Sequence, residues 1–193
     1  MKNRYHEGKI VTVLLLIPIF FCAFFVLSCH KESPTDTRML APYPLFTAHF
    51  GKYLYLDVDS DSMNDYLFSY NFGTTNSIPP TTWDYLYIGG LDSNQVQYSR
   101  ATGTTPMEDG LQICDTSGWR NSSAALAVSY DDSTWSGSFV RITPRYLAVR
   151  ISHNGLFHYG WIKLAISTNG DLSIFDYACQ KPPGIPILAG VHP

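Results

Sequence analysis

The sequence lacks several features on which common enzymes and nucleic-acid-binding proteins depend. Beyond residue 28 it holds only two glutamates, Glu32 and Glu108, and no run of basic residues. The first scarcity argues against a glycosidase with two catalytic glutamates, and the second argues against nucleic acid as a partner. Neither G-x-S-x-G nor H-E-x-x-H occurs, which removes the commonest serine-hydrolase and zinc-protease signatures. The sequence therefore predicts no enzyme and nominates no catalytic residue, although aspartate pairs leave a polysaccharide hydrolase open as an alternative.

The longest apolar run lies at the N-terminus. Three cations within the first nine residues precede the uncharged residues 10–28, and this run ends at Cys29. The pattern is typical of an export signal. Residues 26–29, VLSC, resemble the lipobox of bacterial lipoproteins, in which the signal is cut before the cysteine and the cysteine carries lipid. An uncleaved membrane anchor is the alternative, because the run is close to the ~20 residues that span a bilayer.

These features divide the chain into three parts. Residues 1–28 are predicted to be a lipoprotein signal peptide, and residues 29–44 the lipidated Cys29 followed by a flexible, proline-containing tether. Residues 45–193 are predicted to form a single domain, which is long enough to bury a core. Basic residues before an apolar run stay in the cytoplasm, so we expect the domain outside it. The protein is thus expected to be lipid-anchored in the bacterial cell envelope, with the outer membrane as one candidate.

The chain has four cysteines, and only two of them would remain available to each other. Cys22 leaves with the predicted signal and Cys29 would carry the lipid. Cys114 and Cys179 then form an even pair in an oxidising compartment, which predicts a disulfide between them. Two separate buried thiols, which behave as small hydrophobic side chains, are the alternative.

Short apolar runs dominate the rest of the chain, and they alternate with polar residues at the period of a β-strand. About nine or ten strands of this kind predict an all-β, antiparallel β-sandwich or jelly-roll-like fold. Asn169-Gly170 and the sequence HNG at 153–155 predict tight hairpin turns, so the last third is expected to be a three-stranded meander. The predicted strands lie at 51–58, 66–72, 83–89, 95–99, 124–130, 137–142, 145–152, 156–166, 172–178 and 185–189.

Four aspartates crowd the loop between the first two of these strands, in the sequence LYLDVDSDSMNDYLFSY. Asp57, Asp59, Asp61 and Asp65 occupy positions 1, 3, 5 and 9, and the carbonyl of Met63 lies at position 7. Calcium takes six to eight oxygen ligands, so this set predicts a structural Ca²⁺ site of low affinity, roughly 10⁻⁴ to 10⁻³ M. A solvated aspartate-rich turn without metal is the alternative.

The loop resembles the calcium loops of dockerins, of thrombospondin type 3 repeats and of bacterial surface proteins with a DxDxDGxxD signature. Ser62 stands where that signature has glycine. If the position needs a positive φ, the serine costs on the order of 1 kcal/mol. The loop is not an EF-hand, because Phe68 takes the place of the bidentate glutamate at position 12.

Aromatic residues are the main candidates for ligand binding. Trp119 and Trp135 lie in polar contexts, SGWRNSS and DDSTWSGS, and are predicted to bind a ligand such as a glycan by presenting flat, amphipathic rings. Trp83, Tyr85 and Tyr87 share one face of a predicted strand. We expect these three to fill the core, with sugar stacking as the alternative.

The segment HYGWIKLAISTNGDLSIFDYACQKPPGIPILAG, residues 158–190, resembles the C-terminal part of uncharacterised secreted or lipid-anchored bacterial proteins, many from the Bacteroidetes. In those proteins an aspartate-rich loop often lies near the start of the same domain. The resemblance implies a secreted β-sandwich and nominates no catalytic residue. The matching positions are Tyr159, Gly160, Trp161, Tyr177, Ala178, Pro183, Gly184, Ile187 and Gly190.

Together these patterns predict a calcium-stabilised, lipid-anchored envelope protein that binds a glycan or another extracellular ligand without catalysis. Its lipid would make the membrane a partner. A structural or adhesive component that binds another envelope protein is the first alternative, and a polysaccharide hydrolase is the second.

Overall fold

Twelve β-strands make up the regular secondary structure of the residues that the computed structural model describes. The structure describes residues 44–101, 103–115, 118–131, 134–141 and 143–193, all within one compact unit, Leu40–Pro193. The predicted signal peptide, Cys29 and nearly all of the predicted tether lie outside the described residues. None of the described segments is a helix able to span a membrane.

The strands form three antiparallel sheets. A six-stranded sheet has the order β1-β11-β10-β9-β5-β7, a four-stranded sheet has the order β2-β3-β4-β8, and β12 pairs with β6. The strands are β1 Phe46–Ala48, β2 Leu54–Leu56, β3 Tyr66–Thr74, β4 Thr82–Gly90, β5 Gln95–Gln97, β6 Gln112–Ile113, β7 Trp119–Arg120, β8 Ala124–Tyr130, β9 Arg145–His153, β10 Leu156–Ile166, β11 Leu172–Cys179 and β12 Ile187–Leu188.

The two larger sheets pack face to face, which confirms the predicted β-sandwich. Alternate residues of β9, from Leu147 to Ile151, belong to the same buried cluster as Leu86 and Ile88 of β4. Burying one such side chain stabilises the fold by roughly 1.5–3 kcal/mol. The hydroxyl of Tyr66 on β3 lies 3.0 Å from the carbonyl oxygen of Arg150 on β9, so a hydrogen bond also joins the two sheets.

The six-stranded sheet is covered on its other face as well. Tyr159 and Trp161 of β10 alternate with residues of the main core, and they pack with Ile113 of β6 and Ile187 of β12 in a second buried cluster. Trp161 is fully buried, and its indole N–H donates to the carbonyl of Val191 at 3.1 Å. The short β6–β12 sheet therefore closes this face.

The predicted C-terminal meander is confirmed. Strands β9, β10 and β11 are consecutive neighbours with antiparallel pairing. The turn between β9 and β10 has Asn154 at φ 52° and Gly155 at φ 80°, and Gly170 in the next turn has φ 86°. Both turns thus use the left-handed conformation that Asn-Gly pairs adopt readily.

One predicted strand is wrong. Of the segment predicted at 137–142, the described residues 137–141 form only an isolated parallel bridge, between Val140 and Ile166, although Phe139 is fully buried. Its apolar residues fill the core from a loop, so burial without a hydrogen-bonded ladder produced the strand-like pattern. Strands β1, β6 and β7, of two or three residues each, were not predicted.

Candidate functional site

The aspartate loop joins β2 to β3 and is organised by its own carboxylates. The two oxygens of Asp57 accept backbone hydrogen bonds from Ser60 at 2.7 Å and Ser62 at 2.9 Å. Those serines have φ values of 64° and 75°, so position 6 does need a positive φ, as expected. Asp61 accepts a backbone hydrogen bond from Met63 at 2.7 Å. Backbone N–H groups thus offset part of the repulsion between the carboxylates.

His153, at the end of β9, also reaches this loop. Its Nε2 lies 2.5 Å from Oδ2 of Asp59, which joins the loop to the β9–β10 hairpin. Nζ of Lys181 donates to the backbone carbonyl of Asp59 at 3.1 Å. The sequence analysis did not assign His153 to the loop, since Asp59 and His153 lie 94 positions apart and no local pattern connects them.

Asp65 is the buried member of the loop, with 4% of its surface exposed. Its Oδ2 accepts a hydrogen bond from the backbone of Val58 at 2.8 Å, and its Oδ1 accepts one from the side-chain amide of Asn94 at 3.0 Å. Burial raises the pKa of Asp65 from 3.8 to about 6. The hydrogen bond from Val58 lowers this pKa, and the charge of Asp59 raises it.

Asn94 is a second residue that the sequence analysis missed. Its side-chain oxygen accepts the backbone N–H of Ser152 at 2.8 Å, while its amide donates to Asp65. It therefore connects the aspartate loop to β9 with both ends of its side chain. A buried asparagine in a loop carries no sequence signature that distinguishes it from an exposed one.

Two groups of side chains are close enough to share one ion. Asp57, Asp59 and Asp65 each offer a carboxylate oxygen, and these three atoms lie within 4.8 Å of one another. Asp59, Asp61 and His153 make a second group at the same spacing. The first group has only oxygen ligands, which Ca²⁺ prefers, whereas the imidazole nitrogen of the second suits transition metals. The side chain of Met63 is 62% exposed, and its carbonyl as a ligand stays a prediction.

The two predicted ligand-binding tryptophans lie in different environments. Trp135 is only 7% exposed and packs edge-to-face against Phe50 and Tyr70, so it does not present a ring to solvent. Trp119 on β7 is half-buried, with the guanidinium of Arg150 lying 4.8 Å from its ring centroid. Trp119 also lines a cleft at the edge of the six-stranded sheet.

The expectation that Trp83, Tyr85 and Tyr87 fill the core is wrong. In β4 the buried side chains are Leu86 and Ile88, and the three aromatic residues alternate with them on the outward face of the sheet. Trp83 and Tyr85 have ring centroids 5.0 Å apart, and those of Tyr85 and Tyr87 are 5.4 Å apart in a stacked arrangement. We call these three side chains the aromatic row.

Polar groups flank the aromatic row. On β3, Asn71 pairs with Tyr85 and Ser69 pairs with Tyr87, so an amide and a hydroxyl lie on the same face. On β8, the hydroxyl of Tyr130 lies 3.3 Å from that of Tyr85. This hydrogen bond, followed by burial, raises the pKa of Tyr85 to about 12. The row therefore presents neutral rings beside hydrogen-bonding groups.

The predicted disulfide between Cys114 and Cys179 is not present in the structure. Cys179 belongs to the main core between the two large sheets, whereas Cys114 lies near enough to Tyr159 for an electrostatic interaction, and Tyr159 belongs to the cluster on the other face of the six-stranded sheet. The sheet thus separates the two cysteines. The sequence shows that two cysteines remain in the domain, but it does not show on which face of the six-stranded sheet each of them lies.

No protein-family model, curated protein or solved structure matches the chain.

Proposed function

We propose that the protein is a non-enzymatic, lipid-anchored component of the bacterial cell envelope that binds a glycan on the aromatic row. The observation that carries the proposal is the outward position of Trp83, Tyr85 and Tyr87 on the four-stranded sheet. Sugar rings have apolar faces that stack on flat aromatic side chains, and their hydroxyls require hydrogen-bonding groups at the rim. Asn71 and Ser69 lie beside the rings and supply such groups.

The strand geometry suits an extended chain of sugars. Residues that alternate along a strand repeat every ~6.7 Å, so the three rings form a continuous strip rather than one isolated platform. Gly73 lies across from Trp83 on β3, where a β-carbon would come within 2.2 Å of the indole. Because Gly73 has no side chain, the indole of Trp83 can lie flat against the sheet, and the aromatic surface is wider as a result.

We also propose that Ca²⁺ binds the aspartate loop, with Asp57, Asp59 and Asp65 as its first ligands. Three carboxylates within 4.8 Å repel one another, and a divalent cation converts that repulsion into attraction. Asp61 and the carbonyl of Met63 complete the set expected from the sequence. The role of the ion is structural, since the loop holds β2 to β3 at the edge of the sheet that carries the aromatic row.

The alternative of an envelope-protein partner has one observation in its favour. The β3–β4 hairpin carries Phe72, which is 82% exposed, and Ile78, which is 99% exposed. Exposed apolar side chains on a protruding hairpin favour contact with another apolar surface. A pull-down with the Phe72→Ser, Ile78→Ser double variant as control tests this alternative.

A glycan array probed with the detergent-solubilised full-length protein tests the leading proposal. Tyr85→Ala is expected to weaken glycan binding about two- to tenfold, because it removes the central ring of the strip. Tyr53→Ala is the matched control, since Tyr53 is exposed but lies outside the row. Silence across the array, or an equal loss in both variants, contradicts the proposal. Calcium binding is tested separately, by the melting temperature and by calorimetric titration. If millimolar Ca²⁺ leaves the melting temperature unchanged and gives no heat of binding, the proposed calcium site is wrong.

A further inference from the structure

An open cleft lies at β7, the edge strand of the six-stranded sheet, away from the aromatic row. Its volume is about 770 Å³, and it is lined by Tyr98, Ser99, Arg100, Gly118, Trp119 and Arg120. The N–H of Tyr98 donates to the carbonyl of Gly118 at 2.9 Å, and a β-carbon on Gly118 would lie 2.5 Å from the carbonyl oxygen of Tyr98. Glycine at this position therefore permits the close backbone approach that shapes the cleft.

Two arginines give the lining of this cleft a positive charge. Arg100 and Arg120 both line it, and neither forms an ion pair with any residue that the structure describes. The contrast is with Arg145, which pairs with Glu108 at 2.6 Å, and Arg150, which pairs with Asp115 at 2.7 Å. Two guanidinium groups without an ion pair among the described residues, in one concave surface, stand out on a chain whose formal net charge is −3.

One of the two guanidinium groups is held in place by its neighbours. Arg120 lies over the ring of Tyr98, with its Cζ 4.5 Å from the ring centroid, and its Nε donates to Oγ of Ser122. Those contacts leave the terminal N–H groups of the fork available for a ligand. A pre-positioned arginine fork loses little entropy when it binds a planar carboxylate through two hydrogen bonds.

The aromatic walls add a second kind of contact. Trp119 and Tyr98 both line the cleft, Tyr98 from the face of the sheet that packs on the main core and Trp119 from the opposite face. The guanidinium of Arg150 lies 4.8 Å from the ring centroid of Trp119, which helps to fix the orientation of the indole. Rings beside guanidinium groups can contact both the apolar face and the acidic group of one small ligand.

We propose that this cleft binds a carboxylate-bearing sugar, a uronic acid residue, through Arg100 and Arg120. The carboxylate meets the two guanidinium groups, and the pyranose ring lies against Tyr98, which is on the same face of the sheet as Arg120. Inorganic phosphate shares the anionic chemistry but has no apolar face for the rings to contact. The site is distinct from the aromatic row, which lies on the other large sheet.

Isothermal titration calorimetry with the detergent-solubilised full-length protein tests this assignment. The probes are short oligosaccharides of galacturonic, glucuronic and mannuronic acid, their methyl esters, and inorganic phosphate. We expect at least one acid to bind about tenfold or more tightly than its ester, because esterification removes the charge that the arginines recognise. Arg100→Gln and Arg120→Gln are each expected to weaken that binding about tenfold or more.

Two control variants show whether uronate binding is specific to this cleft. Arg141→Gln removes an arginine that also lacks an ion pair with the described residues but lies outside the cleft, so it should leave uronate binding unchanged. Tyr53→Ala, which changes an exposed tyrosine outside both the cleft and the aromatic row, should also leave it unchanged. Acid and ester of equal affinity, no binding of any uronate, binding of phosphate alone, or full binding by the Arg100→Gln, Arg120→Gln double variant would each overturn the proposal.

Discussion

Gly170 lies directly against the indole of Trp135. A β-carbon at Gly170 would come within 2.5 Å of both Nε1 and Cε2 of that ring. The carbonyl of Gly170 accepts a hydrogen bond from the hydroxyl of Tyr70 at 2.7 Å, and Tyr70 itself packs against Trp135. The β10–β11 turn is thus sealed onto the core by one glycine, one tryptophan and one tyrosine.

This contact predicts a large difference between two glycines with similar backbones. Gly155 has φ 80° and Gly170 has φ 86°, yet a β-carbon at Gly155 would meet nothing within 4 Å. Gly155→Ala is expected to lower the free energy of unfolding by about 1 kcal/mol, the cost of a left-handed alanine. Gly170→Ala is expected to cost about 2–4 kcal/mol, because the clash adds to that strain.

Urea denaturation of both variants beside the wild-type protein measures the difference. The Gly155→Ala variant is the control for backbone strain, because Gly155 also follows an asparagine and has a similar φ. Equal losses in the two variants would show that Trp135 does not seal the turn.

The raised pKa of Asp65 predicts how stability depends on pH when no divalent cation is present. The folded state holds the proton of Asp65 more tightly than the unfolded state, with a pKa of about 6 against 3.8. Its contribution to stability is therefore complete below about pH 4 and lost as the pH rises through about 6. The loss is on the order of 2–3 kcal/mol. Bound Ca²⁺ should weaken or reverse this trend, because the ion favours the charged carboxylate.

Denaturation in chelator across this pH range, for wild type and Asp65→Asn, isolates the effect. The variant is expected to be less stable overall, because its amide has one acceptor oxygen where Val58 and Asn94 donate to two oxygens of Asp65. The free energy of unfolding of this variant should nevertheless lack the decrease with rising pH that the ionisation of Asp65 causes in the wild-type protein. Parallel profiles for the two proteins would contradict the prediction.

The two cysteines of the domain should differ in reactivity. Burial, followed by the charges of Asp59 and Asp65, raises the pKa of the Cys179 thiol to about 12, although the charge of Lys181 lowers it. The thiolate is the reactive form, so Cys179 should resist iodoacetamide at pH 8 in the folded protein and react once the protein is unfolded in urea. Half-buried Cys114 should react sooner. Peptide mass spectrometry without reduction measures both sites, and a peptide linking Cys114 to Cys179 would refute the separation of the two cysteines.

The sheets could be predicted because their signal is local. Leu147, Val149 and Ile151 alternate with less apolar neighbours, and a period of two follows directly from the geometry of a strand. The same reasoning failed for β4, where both faces are apolar or aromatic. Either Leu86 and Ile88 or the aromatic row could face the core by their apolar character alone. The face that is buried depends on where the second sheet packs, which the local sequence does not show.

The parts of the candidate sites that could be predicted are those whose residues lie close together in the sequence. The aspartate loop and the positive φ of Ser62 could be read from nine consecutive residues. The contacts of Asp59 with His153 and of Asp65 with Asn94 join residues 94 and 29 positions apart, so they arise only when the chain folds. The cleft at Trp119 is likewise built from two strands that no local pattern brings together.

The left-handed Ser62 offers a last test of the aspartate loop. At φ 75° a serine is strained on the order of 1 kcal/mol, and glycine relieves most of this strain. Ser62→Gly is therefore expected to raise the free energy of unfolding by about 0.5–1 kcal/mol in chelator, measured by urea denaturation. It keeps the backbone N–H that Asp57 accepts at 2.9 Å, so the loop conformation should persist. Ser173→Gly in β11 is the control and should destabilise the protein, since glycine weakens a regular strand. If both substitutions destabilise the protein equally, Ser62 does not carry the strain that its φ implies.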